Sequence, residues 1–341
     1  YRTWRDEEQG DGLLTVIPNN DLTPAPPGGV FVHLFEWPWI DVEKECVFLA
    51  EKGYDAVQIS PPNEHVVPTE DMYNNPYADF PWWVRYQPVT HQPGVGTFVS
   101  RSGTWEEFTS MVDTCNALGV DIYVDAIINH TARDEVGSPP EGTSGTEYNA
   151  TPADERFYGD QYQAYDFHQD CHIHNYNDRQ EVQECQLENL PDLNTGKSDV
   201  LGELHAYLQT LLDVGVKGFR IDAAKHMAAH DIAAILDSLT LPGGGTPYIF
   251  QEVIDLGGER VKDWEYTPTG DVTEFVYSKT AMGDKFNNCW GHISDLVNVP
   301  DYNNMIASDF AVVFTDNHDN QRGHGAGGEC VVDHRDGRVH L

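Results

Sequence analysis

The chain has 341 residues, with 56 Asp and Glu against 20 Lys and Arg, a formal charge of −36. So acidic a surface repels phosphate backbones and anionic headgroups, which argues against nucleic-acid and membrane-surface partners. Hydrophobic residues at 40% and aromatics at 11% supply a sizeable core and exclude a disordered chain, and no apolar stretch approaches the ~18 residues of a membrane-spanning helix.

Six short apolar runs, at 29–35, 56–60, 121–128, 218–221, 248–250 and 311–314, predict buried parallel strands. Helical patterns lie between them. Thr104 with Glu107 three residues on is a capping-box pattern ahead of Phe108, Met111 and Val112. Leu201, Leu204, Leu208, Leu211 and Leu212 recur at helical spacing. Strands alternating with helices imply an α/β fold with a parallel sheet. After the strand ending near Ile128, no convincing helix begins until near Val200. The Gly-, Pro-, Asn-, Asp-, Tyr- and His-rich stretch between is too long for a structureless loop. The expectation is a (β/α)8 TIM barrel with an irregular domain inserted after the third strand: barrel over 1–129, inserted domain over 130–195, barrel again over 196–341. The first residue is Tyr1 with no apolar leader before it, which reads as a processed N-terminus or an excerpt.

The six cysteines, Cys46, Cys115, Cys171, Cys185, Cys289 and Cys330, favour a secreted setting over six buried thiols. Six allow fifteen pairings, and spacing alone selects none. With no Cys-x-x-Cys pair, a thiolate zinc site is not expected.

Acidic and polar residues gather where the predicted strands end. In Gly218-Phe219-Arg220-Ile221-Asp222, residues two apart share a face, so Arg220 and Asp222 point inward together while Phe219 and Ile221 face the helices. The same rule aligns Asp125, Ile127 and Asn129. Gln251-Glu252 follows 248–250, and Thr315-Asp316-Asn317-His318-Asp319 follows 311–314. A single Asp after a strand is most often a helix cap or turn residue. Arg and Asp buried side by side in an apolar strand are costlier and more specific. Four strands ending in carboxylates match the place where barrel enzymes assemble their sites.

These segments carry a family resemblance. Asp125-Ala126-Ile127-Ile128-Asn129-His130, Gly218 to His226, Gln251-Glu252-Val253-Ile254-Asp255 and Phe314 to Asp319 resemble, in order, the four signature segments of α-amylases. His33-Leu34-Phe35-Glu36-Trp37, Ser60-Pro61-Pro62-Asn63-Glu64, Trp82-Trp83-Val84-Arg85-Tyr86-Gln87-Pro88 and Gly323-His324-Gly325-Ala326-Gly327-Gly328 resemble the animal-type, chloride-dependent branch. The resemblance implies endo-acting, retaining hydrolysis of α-1,4-glucosidic bonds in starch, glycogen and malto-oligosaccharides by a secreted, monomeric enzyme. The alternatives are a glucosidase or glycosyltransferase on the same barrel, or a non-catalytic glucan-binding relative. It assigns Asp222 as nucleophile, Glu252 as general acid and base, and Asp319 as the third carboxylate. His130 and His318 would bond sugar hydroxyls, and Tyr176, Lys225, Gln87 and Arg220 would lie along the bound glucan. Trp82, Trp83 and Tyr86, on a Pro-flanked stretch, suit a platform on which glucose rings stack.

The same resemblance implies calcium held by Asn129, Gln183, Asp192 and His226, the last through its backbone oxygen because imidazole is a poor calcium ligand. It implies chloride at Arg220 and Asn317. It pairs Cys46 with Cys115 and Cys171 with Cys185, leaving Cys289 and Cys330 to pair with each other. Val99 stands where the family commonly has a further cysteine, and the eighth strand and C-terminal β-domain of the family are not expected before Leu341.

Overall fold

The computed structural model describes residues 29–67, 81–92, 99–134, 140–286, 291–301 and 305–320. Seven parallel strands form one sheet in chain order: β1 (Phe31–Leu34), β2 (Ala56–Ile59), β3 (Asp121–Ala126), β4 (Gly218–Ile221), β5 (Tyr248–Gln251), β6 (Asp271–Thr273) and β7 (Ala311–Val312). The register runs Phe31↔Ala56, Ala56↔Asp121, Tyr123↔Gly218, Gly218↔Tyr248, Phe250↔Asp271 and Val272↔Ala311.

Ring contacts reveal the curvature. Phe31 on β1 and Phe250 on β5 meet at 5.2 Å, although strands four apart in a flat sheet would be separated by about 19 Å. Past the strand ends, Phe35 after β1 stacks on His318 after β7 at 4.8 Å. The sheet therefore curls as the (β/α)8 barrel does, with an aromatic plug of Phe31, Tyr123, Tyr248 and Phe250 on its inner face. Outward-facing Val57, Ile59, Ile122, Val124, Phe219 and Ile221 are fully buried in the core that includes the helices.

Helix α1 (Trp39–Lys52) turns the chain with Gly53 in the left-handed region at φ 77°, where a side chain would be strained. Helix α2 (Trp105–Ala117) begins on the predicted capping box: Thr104 Oγ1 accepts from Glu107 N, and Glu107 Oε2 accepts from Thr104 N at 2.8 Å. The Cys46–Cys115 disulfide joins α1 to α2. Helices α3 (Ser198–Asp213) and α4 (Ala229–Leu236) flank β4 in sequence. Between β3 and α3 the chain makes strands of two residues (Tyr148–Asn149, Phe157–Tyr158, Tyr162–Gln163), a short helix Arg179–Glu184 and the Cys171–Cys185 disulfide. Cys289, Cys330 and the 323–328 motif lie outside the described residues.

Three local readings are corrected. Strand β6 is absent from the sequence reading, because three residues, Asp271-Val272-Thr273, carry too little apolar pattern. The Trp82–Tyr86 stretch, read as loop, is a 3-10 turn. Strand β3 also stops at Ala126, short of Ile128.

Candidate active site

One cleft of about 850 Å³ opens at the carboxyl ends of the strands. Asp222, Glu252 and Asp319 line it together with Trp82, Trp83, Tyr86, Gln87, His130, Tyr176, Lys225, His226 and His318. The cleft thus gathers the predicted carboxylates and nearly all of the predicted sugar contacts.

Beneath Asp222 and Glu252 lies a buried charge cluster. Arg220 Nη1 donates to Asp125 Oδ1 at 2.6 Å and to Asp222 Oδ1 at 2.7 Å. Its Nη2 lies 2.7 Å from Glu252 Oε1, within ion-pair distance but without the alignment of a hydrogen bond. The Tyr86 hydroxyl donates to Asp125 Oδ2 at 2.8 Å, and Ala223 N donates to Glu252 Oε2 at 2.9 Å. Ala223 holds φ 48°, a left-handed conformation that a non-glycine residue adopts at a cost of roughly 1 kcal/mol. That kink aims its N–H at the carboxylate. Arg220 does not line the cleft. Its expected sugar contact is corrected, since its guanidinium is spent on carboxylates.

Burial pushes Asp125, Asp222 and Glu252 up from the ordinary carboxylate range, and Arg220 pulls each of them down. Burial alone would disfavour the charge on Arg220, but the three carboxylates drive it well above its usual value, so it stays a cation. Three carboxylates around one cation cannot all ionise cheaply. Asp125 accepts two aligned hydrogen bonds and Asp222 an aligned one from Arg220. Glu252 accepts from the Ala223 N–H and pairs with Arg220 Nη2, and the Asp319 charge pushes it further up. Asp222 is thus held well above the ordinary carboxylate range and Glu252 above it, and the pair around one cation favours a shared proton.

His318 is sandwiched between Phe35 and Tyr86, with centroids at 4.8 and 5.1 Å, and its Nε2 lies 3.5 Å from Asp319 Oδ2. Trp82 sets its edge against Phe35, Tyr86 and His318. His130 is held by protein on both ring nitrogens: Nε2 donates to Tyr86 O at 2.9 Å, and Nδ1 faces Asn129 Nδ2 at 3.3 Å. Burial lowers its pKa to about 4. A hydrogen bond from His130 to a sugar thus requires exchange of the Tyr86 bond. Lys225 Nζ bonds Ile254 O at 2.6 Å, pairs with Glu259 and sits 5.1 Å above the Tyr176 ring. Glu259, Leu256, Ile254, Leu187, Glu188, Leu190 and Arg133 also line the cleft. Ile254 lies within the third signature segment but is apolar and carries no role in the sequence reading. The others are missed there because they lie on the loop after β5 and in the 130–195 segment, outside the strand-end motifs.

The expected calcium ligands fall into two neighbourhoods, Asn129 beside Asp192 and Gln183 beside His226. His130 and Asp192 form a β-bridge, and Leu193 N donates to Asn129 O at 3.0 Å. Asp192 is buried, with Oδ2 on His168 Nδ1 at 2.7 Å, while Oδ1 is buried without a hydrogen-bond partner. Such an orphaned oxygen fits a hard cation. His226 Nδ1 faces Val182 O at 2.9 Å, which leaves its backbone oxygen as the candidate donor. The Gln183 amide donates to Met227 O and the Tyr266 hydroxyl, so only oxygens remain for that residue as well. Among the described residues no three His, Cys, Asp or Glu side chains cluster as a metal site. The set depends on amide and carbonyl oxygens beside one carboxylate, a mixture calcium accepts. Asn317 Oδ1 accepts from Asp319 N and Asn320 N, which leaves its amide nitrogen for an anion.

Residues 96–239 match the family described as alpha amylase, catalytic domain. The chain is 44% identical over 323 residues to human alpha-amylase 1B and to pig pancreatic alpha-amylase, alignments that cover 91% of this chain and 60% of each relative. It is also similar to a crystal structure of a mutant of alpha-amylase I from Eisenia fetida in complex with maltohexaose. That match has TM-score 0.81 and 41% identity, covering 91% of this chain and 62% of the other. The chain spans about 60% of the length of the curated relatives it matches.

Proposed function

We propose, from the premise that the chain belongs to the α-amylase family, that it hydrolyses α-1,4-glucosidic bonds in starch, glycogen and malto-oligosaccharides with retention of configuration. The observation that carries this reading is the joining of two cleft carboxylates, Asp222 and Glu252, to the two arms of one buried guanidinium. A shared fork favours the close carboxyl spacing, roughly 5–5.5 Å, of retaining enzymes over the wider gap that admits a water.

In the first half-reaction Glu252 gives its proton to the glycosidic oxygen while Asp222 attacks the anomeric carbon. With Oδ1 committed to Arg220, Oδ2 is the attacking oxygen. The C–O bond to the leaving chain breaks as the Asp222–sugar ester forms. Glu252, now ionised beside Arg220, then takes a proton from water. The resulting hydroxide equivalent opens the ester, and Glu252 ends protonated again. Asp319 and His318 hold the sugar at the cleavage point, and Trp82 and Trp83 give its apolar face an aromatic wall.

Asn129, Asp192 and backbone oxygens of Gln183 and His226 would hold calcium, whose charge would neutralise Asp192 and tie the 130–195 segment to β3 and β4. Arg220 and Asn317 would hold chloride, which would offset the pull of Arg220 on Glu252. The two disulfides support an extracellular setting. In domain terms we propose barrel over 1–129 and 196–341, with 130–195 inserted.

Incubation with soluble starch and with maltoheptaose tests the reading. Endo-hydrolysis predicts a fast fall in iodine colour and mixed short products that retain the α-anomer by NMR. Release of glucose alone would point to a glucosidase, longer products to a transferase, and no turnover to a binding protein.

A further inference from the structure

Glu252 is the first residue past the end of β5, where the strand ladder stops fixing the backbone. On the β4 side three bonds hold it: Glu252 N donates to Ile221 O at 2.9 Å, Glu252 O accepts from Lys225 N at 3.3 Å, and Oε2 accepts from Ala223 N at 2.9 Å. On the β6 side the Cα register ends at Gln251↔Val272. There a side chain takes over. Thr273 Oγ1 donates to Gln251 O at 3.2 Å and accepts from Val253 N at 3.3 Å. One hydroxyl thus clasps the carbonyl before Glu252 and the amide after it. Thr273 is 9% exposed and does not line the cleft, so it touches no sugar, and solvent is poorly placed to replace it.

We infer that Thr273 is a positioning residue for the general acid, fixing the two peptide units that flank Glu252 and so the direction from which its carboxyl meets the glycosidic oxygen. The inference rests on the role proposed for Glu252. Without the hydroxyl, a buried carbonyl and a buried N–H lose a partner, and both peptide planes turn to recover one. A displacement of about 1 Å at a reacting group costs on the order of 10²-fold in rate. General acid assistance is itself worth about 10²–10⁴-fold.

Thr273→Val keeps the shape and removes the hydroxyl, and Thr273→Ser keeps the hydroxyl. Each is assayed on maltoheptaose, whose sugar leaving group must be protonated, and on an α-maltotriosyl fluoride, whose leaving group departs with little acid assistance. The expected result for Thr273→Val is a loss of about 10- to 100-fold in kcat on maltoheptaose, with KM within about two-fold. For the fluoride, kcat/KM reports only the first half-reaction and not the base step of Glu252, and it should stay within about three-fold of the parent. Thr273→Ser should return the maltoheptaose rate to within about three-fold of the parent. Equal losses on both substrates, an undiminished maltoheptaose rate, or no recovery with serine would each overturn the inference. Should the valine variant lose its circular-dichroism signature, Thr273→Ala is read against the same two substrates. A parent protein that turns over neither substrate would sink the functional reading itself, and the inference with it.

Discussion

At the floor of the cleft, Asp222 and Glu252 follow directly on the ends of β4 and β5, whereas the 130–195 segment that forms one wall orders itself with two-residue strands, a disulfide and ion pairs. The floor keeps Asp125, Arg220, Asp222 and Glu252 buried, with each charge compensated by the next. The wall relies on Arg156 with Asp170, His168 with Asp192 and Lys197 with Asp166, around a small aromatic centre of Tyr148, Tyr158, Tyr162 and Phe167. The buried charges thus sit against the parallel sheet, and the wall adds Arg133, Tyr176, Leu187, Glu188 and Leu190 to the cleft from irregular backbone. Changes in the floor should cost rate with little unfolding, and changes in the wall should cost local order first.

The largest expected effect is in the floor. Asp222→Asn and Glu252→Gln should each lower kcat on starch by about 10³-fold or more while leaving the melting temperature within a few degrees. A glutamine variant that kept a tenth of the parent rate would remove Glu252 from its role. Next come the two disulfides, one in each region. The Cys46–Cys115 bridge spans 69 residues and Cys171–Cys185 spans 14. Chain entropy assigns about 4 kcal/mol to the first and about 3 kcal/mol to the second. Replacing both Cys46 and Cys115 by Ser should lower the main urea midpoint. Replacing Cys171 and Cys185 should open the wall to protease first, and equal effects on the main transition would erase the contrast.

A smaller effect should follow calcium removal. Ligand linkage stabilises whichever junction the metal occupies, so chelation should expose new proteolytic cuts between His130 and Asp192 before any in the barrel. Identical digestion with and without chelator would count against the Asp192 site. The smallest effect concerns the anion. Arg220 favours ionised Glu252 and lowers its pKa, and an anion on Arg220 relieves that pull. In chloride the alkaline limb of kcat/KM should move upward relative to a large inert anion at equal ionic strength, and superimposable profiles would exclude the site.

The difference between floor and wall also explains what was legible in the sequence. Period-two alternation exposed the Arg220–Asp222 pair and the interior position of Asp125, because a strand fixes which residues share a face. The same rule could not find β6, where only Val272 is apolar in three residues, and so it missed Thr273. Nor could it find Glu259, Glu188 or Leu187. Those residues reach the cleft through irregular backbone, with Glu188 itself at φ 52°, and no periodicity encodes such a path. That Arg220 serves carboxylates rather than sugar depends on three strands meeting at one guanidinium, which is a tertiary fact.

The crowded floor gives the folded protein a stoichiometry. Because burial holds the Asp222 and Glu252 carboxyls above the ordinary carboxylate range, the native cluster retains a proton at a pH where an unfolded chain would release it, and folding there takes up a proton from the buffer. The native state therefore binds more protons than the unfolded state between the ordinary carboxylate range and the raised pKa of Glu252. This contribution to stability is fully present below that range and is lost as pH climbs through the raised pKa, with a slope of up to about 1.4 kcal/mol per pH unit for a single proton. Urea midpoints measured across that window should fall with rising pH in the parent and fall less steeply in Glu252→Gln, where Asp222 and Asp192 still titrate high. The proton held beneath the cleft is thus a component of the fold, and alkaline solution withdraws it.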